Sequence, residues 1–107
     1  MAHYLWQVAY STEGWAALVK NPQNRIEAVR PAVEKMGGKI ESGWFSFGKY
    51  DVVAIVQFPD NVSAAAMAMA VGTSGTIRAF RTTPLLSPAE GVEAMKKASG
   101  AGYKPAK

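Results

Sequence analysis

Few residues of this chain can do chemistry, and two of them are adjacent. Tyr50 and Asp51 set a phenol beside a carboxylate at the entrance to the apolar run Val52 to Phe58. A carboxylate can take a proton and a phenol can give one. The pair is therefore a candidate for general acid–base work or for orienting a polar ligand. It has a plainer reading too: Asp51 can bond turn N–H groups, and Tyr50 can pack in the core with its hydroxyl satisfied. Neighbours on a strand point to opposite faces, so both cannot line one pocket without a bulge. His3, the only histidine, is the third catalytic candidate, as a general base. It has no partners at metal-ligand spacing, so no metal site is expected. Cysteine is absent, which excludes thiol catalysis, thiolate ligands and disulfides. Nucleotide, zinc-protease and hydrolase signatures are also missing, and no cofactor is expected. The Gly72-Thr73-Ser74-Gly75 stretch follows a helix and precedes a strand, the reverse of a phosphate loop.

A second group is aromatic. Tyr4, Trp6, Trp44, Phe45 and Tyr50 are candidates for lining an apolar ligand cavity, with Arg78 as an anchor for an anionic group. The alternatives are that the aromatics are core or subunit interface, and that Arg78 or Arg81 pairs with Asp51, Glu13 or Glu41.

These residues need elements to hold them. Residues 3–10 read as a strand, with Tyr4, Trp6, Val8 and Tyr10 on one face and Leu5, Gln7 and Ala9 on the other. A two-piece helical region follows, capped first by Ser11 or Thr12. Asn21 and Pro22 read as its restart, and Gly37-Gly38 as its stop. In the second piece Ile26, Val29, Val33 and Met36 share a face, while Arg25, Glu27, Arg30, Glu34 and Lys35 take the solvent side. Pro31 falls inside it and predicts a kink or break. Lys39–Phe47 and Tyr50–Phe58 read as a hairpin turning at Gly48-Lys49. Asp60 caps an alanine-rich helix over 62–71, and 76–83 forms a fourth strand. Ser87, Pro88 and Glu90 form a capping box for a last helix to about Ala98, with Val92 and Met95 inward.

The order is β-α-β-β-α-β plus a C-terminal helix. This predicts an α+β, ferredoxin-like sandwich with a four-stranded antiparallel sheet over residues 1–98 and a disordered basic tail over 99–107. Helices would cover one sheet face. The two strands predicted to be central are apolar on both faces, so a second copy is expected against the other, as a homodimer or higher oligomer.

The net charge of +4 belongs to the tail. Four Lys and four Arg balance eight Asp and Glu through residue 95. The excess is Lys96, Lys97, Lys104 and Lys107. Nucleic acid, which demands clustered cations on the folded surface, is argued against. No stretch suits a leader peptide or a membrane span, and a cytoplasmic protein is expected.

Phe47-Gly48-Lys49-Tyr50-Asp51-Val52-Val53, followed by Phe58-Pro59-Asp60, resembles the GYD domain family, named for its Gly, Tyr, Asp signature. The likeness extends to Tyr10–Gly14, Asn21-Pro22, Gly37-Gly38-Lys39 and Gly75-Thr76-Ile77-Arg78, and covers roughly residues 4–90. It implies a ferredoxin-like, dimeric α/β-barrel module, bacterial for the most part, without an assigned general activity. Pro31 and the bulky, basic Ala79-Phe80-Arg81 depart from the family pattern. Three functions compete. The first is a homo-oligomeric module binding a small, largely apolar molecule in a pocket beside the sheet. The second is a cofactor-free enzyme using Tyr, Asp or His for proton transfer. The third is a purely structural assembly unit.

Overall fold

The structure, a computed structural model, describes residues 1–106. Four strands, β1 (Ala2–Tyr10), β2 (Lys39–Phe45), β3 (Val52–Phe58) and β4 (Ile77–Leu85), form one sheet in the order β2-β3-β1-β4. Every pairing is antiparallel. Helices α1 (Thr12–Lys20), α2 (Arg25–Lys35) and α3 (Asn61–Gly72) link the strands, and α4 (Pro88–Ser99) follows the last. This is the ferredoxin-like arrangement, with its two most apolar strands, β1 and β3, at the centre.

The core lies on one face of the sheet. Tyr4, Trp6, Val56 and Phe58 pack there against Val33 of α2 and Ala64 and Met67 of α3. Val8, Tyr10 and Val52 continue it, with Leu18 of α1 packed on them. The alternation along β3 is regular, with Val52, Ala54, Val56 and Phe58 buried and Val53, Ile55 and Gln57 partly exposed. The second set, with Leu5 and Gln7, forms the open face.

Two register shifts break the alternation elsewhere. One lies between Ile40 and Ser42, where Ile40 opposes Val56 and Ser42 opposes Ile55. Glu41 is the extra residue. Beyond it the sides exchange, so Gly43 and Phe45 face the helices and Trp44 faces the open side, opposite Val53. The other lies between Ala9 and Tyr10, which oppose Ala79 and Ile77. Arg78 is the extra residue there, and Ile77 joins Phe80 on the helix side. Uninterrupted alternation would group Ile77 with Ala79 and Arg81 instead.

The helix caps follow local chemistry. Ser11, Asn24, Asp60 and Ser87 each accept a backbone N–H from three residues on. Asn21 closes α1, and α2 restarts at Asn24, three residues later than the Asn21-Pro22 pair predicts. The helix runs unbroken through Pro31. Pro31 and Glu27 are both exposed, so the carbonyl without a donor can turn to water. Gly14 brings α1 against the start of β4. A Cβ there would collide with the backbone carbonyl of Thr76, which already accepts the Ser11 N–H at 2.9 Å.

Helix α4 has the predicted capping box, with Ser87 and Glu90 bonded reciprocally. It buries none of its residues; Met95 is 70 % exposed, where an inward position is predicted. The radius of gyration, 17.0 Å, reflects this. A compact chain of this length has about 13 Å. Residues 100–106 hold no helix or strand, and Lys107, last of the tail lysines, lies outside the described residues. Among the described residues, no helix is long and apolar enough to cross a membrane.

Candidate functional site

The β2–β3 connection is a loop over residues 46–51, longer than the predicted two-residue turn, so Tyr50 and Asp51 precede β3. Asp51 is buried. One carboxylate oxygen, Oδ2, accepts the Tyr10 N–H at 2.9 Å, and the Asp51 N–H donates to the Val8 carbonyl at 2.7 Å. Ser46 closes the loop. Its N–H donates to the Asp51 carbonyl and its hydroxyl to the Tyr50 carbonyl. Here Asp51 joins the loop to the end of β1.

Between the sheet and the helices lies a pocket of about 280 Å³. Trp6, Val8, Val52 and Ala54 form its sheet side, and Ile26 and Val29 of α2 its helix side. Leu18, Val71, Ile77 and Phe80 enclose it further. The Trp6 indole lies between Phe58, at 6.0 Å, and Phe80, at 5.4 Å, and its N–H has no partner among the described residues. Tyr10 stacks edge-on against Trp15 at 5.3 Å and turns its hydroxyl towards Arg25. Burial raises the Tyr10 pKa above its ordinary value. The neighbouring Arg25 guanidinium opposes that rise without cancelling it, and the Asp51 charge adds to it. Tyr10 is therefore a neutral phenol at physiological pH. Arg25 is half-buried and donates to Gln23 Oε1 at 2.9 Å.

A family model described as the GYD domain matches residues 4–95, most of the chain. The chain belongs to the GYD domain family. A search of curated proteins finds no match to it.

This GYD domain distributes the predicted site residues over several places. Trp6 lines the pocket; Tyr4, Trp44, Phe45, Tyr50, Asp51, Arg78 and His3 do not. Tyr4 is fully enclosed, its hydroxyl donating to Asn61 Oδ1 at 2.6 Å. Trp44 is 71 % exposed on the open face. Phe45 borders a second hollow with Asn24, Ile26 and Arg30. Arg78 is exposed at its bulge, with no carboxylate partner among the described residues. Half-buried Tyr50 has the Lys49 ammonium 6.0 Å from its ring centre. His3 Nε2 lies 3.1 Å from Glu41 Oε1, which also accepts from Gln57 Nε2 at 2.6 Å. That cluster is on the open face, away from the pocket.

Among the pocket's polar residues, Tyr10, Arg25 and Gln23 are not candidates on the sequence alone. Two signals pointed to them. Tyr10 shares its strand face with Tyr4, Trp6 and Val8. Arg25 stands four residues before Val29, which puts both on one helix face, although charge alone assigns it to solvent.

Proposed function

We propose that this GYD domain is a homo-oligomeric module that binds a small, largely apolar molecule in the pocket between α1, α2 and the sheet. The pocket's build carries the reading: an apolar interior from both layers, with a few polar groups converging at one end. Its volume falls near the lower bound of small-molecule sites, about 300–1,000 Å³, which favours a compact ligand. Association is supported by the open face, where exposed Trp44 stands opposite Val53, and Ile55 and Leu5 beside it are only partly buried. The projecting α4, with Val92 and Met95 in solvent, adds a second unpartnered apolar surface. Apolar area of this kind marks interaction surfaces.

A fragment series screened by thermal shift, with methyl NMR shifts at Ile26 and Val29, tests the ligand half. Stabilisation should grow with ligand concentration as binding to the folded state requires. A series that moves neither the melting temperature nor those methyls removes this half. Sedimentation tests the other half. The native chain should run larger than a monomer and Trp44→Glu should shift it towards monomer. A native monomer at micromolar concentration defeats the association.

A further inference from the structure

The polar end of the pocket specifies more than an apolar occupant. Arg25 is the one charged residue among those lining it. No carboxylate pairs with it among the described residues; Arg30, one turn along α2, has Glu27 at 2.9 Å. The nearby carboxylate of Asp51 accepts the Tyr10 backbone N–H and does not line the pocket. A guanidinium partly withdrawn from water beside an apolar cavity, with the neutral Gln23 Oε1 as its hydrogen-bond partner, gains most from an anion.

Tyr10 strengthens the same direction. Its phenol stays protonated, and it lines the pocket beside the Arg25 guanidinium, whose charge opposes the rise in its pKa. A protonated phenol keeps a hydrogen to donate. Guanidinium and phenol are thus two adjacent donors at one end of an apolar cavity. The Trp6 indole N–H, a third donor in the wall, has no partner among the described residues. An acceptor with negative charge satisfies Arg25 and Tyr10 together. A second cation would be repelled, and a wholly apolar ligand would leave the Tyr10 hydroxyl without an acceptor and Arg25 with only the neutral Gln23 Oε1.

We propose that the ligand of this pocket is a small apolar acid, its carboxylate held by the Arg25 guanidinium and the Tyr10 hydroxyl while its hydrocarbon or aromatic part lies among Trp6, Ile26, Val29 and Phe80. This rests on the pocket being a ligand site and names the chemistry of what enters it. Planar guanidinium and carboxylate match as a two-pronged pair, which orients the acid head towards the rim. Half-exposed Arg25 and exposed Gln23, Ser74 and Thr76 mark that rim, while buried Trp6, Val8 and Ala54 mark the floor.

The test titrates the native protein with phenylacetate and with its neutral isostere phenylacetamide, then with hexanoate and hexanamide, following the Ile26 and Val29 methyls by NMR. Each acid should bind roughly tenfold tighter than its amide, the ratio expected of one charge-assisted contact. Added salt should narrow that ratio. Arg25→Gln should abolish the preference, and Tyr10→Phe should reduce it. Amides that bind as tightly as acids overturn the acid assignment and leave the pocket reading standing. If neither probe perturbs the methyls while other neutral fragments do, the acid assignment also falls. If no compound of any charge reaches them, both readings fall. The acid-to-amide ratio is read on the unaltered protein, so it holds even where a variant folds poorly.

Discussion

The carboxylate of Asp51 secures a joint between two strands that are far apart in sequence. It reaches from the β2–β3 loop to the last residue of β1 and satisfies a buried N–H that lies at the strand's irregular end. Asp51→Ala removes the acceptor and leaves the Tyr10 N–H buried and unpaired, at a cost of about 1–3 kcal/mol. Urea unfolding should show this as a lower midpoint at constant slope. A loss below about 0.5 kcal/mol, the scatter of ordinary surface changes, would mean that water or another group replaces the carboxylate. Asp51 is legible in the sequence as a residue of consequence, and bonding to turn N–H groups is one of its two readings there. Its partner is not legible, because the bond spans 41 residues and depends on the sheet having formed. Arg25 is hidden for a related reason. Half-burial of a charged side chain is set by the neighbouring layers, and hydropathy assigns it to water.

At the scale of elements, the strands and caps follow from local chemistry, and the two bulges do not. Alternation, turn residues and capping residues are written in short stretches, so the order of elements and the central place of β1 and β3 can be read directly. A bulge inserts one residue without a distinctive composition, yet it reverses the side of everything beyond it. Glu41 thereby sends Trp44 to the open face, and Arg78 sends Ile77 into the pocket wall. The caps of α3 and α4 separate packed from unpacked helix. Asp60→Ala removes the acceptor for the Ser63 N–H, at 2.8 Å, from a helix that contributes Ala64 and Met67 to the core. It should lower global stability by about 1 kcal/mol. Ser87→Ala breaks the capping box of α4, which buries nothing. In protein dilute enough to be monomeric it should speed amide exchange in α4 and leave the domain's unfolding midpoint in place. Equal midpoint losses for the two variants would show that α4 is packed on its own domain.

For the whole molecule, the radius of gyration of 17.0 Å exceeds the compact value, and the C-terminal arm, α4 with residues 100–106, buries none of its residues. The apolar side chains on that arm and on the open face together make the surface through which copies are proposed to meet. A chain ending at Leu86 should keep its unfolding midpoint and its pocket, because α4 buries none of its residues and lines no part of the pocket. It should also associate more weakly, as read by sedimentation. Unchanged association would confine the contact to the sheet. The pocket has a different consequence for the molecule. It parts two layers that elsewhere interlock, so the apolar side chains on its floor are less closely packed than the rest of the core. Hydrostatic pressure favours whichever state eliminates such space, and unfolding does so by letting water in. An occupied pocket has less space to surrender. The empty domain is therefore the more compressible form, and a bound molecule hardens it against pressure as well as heat.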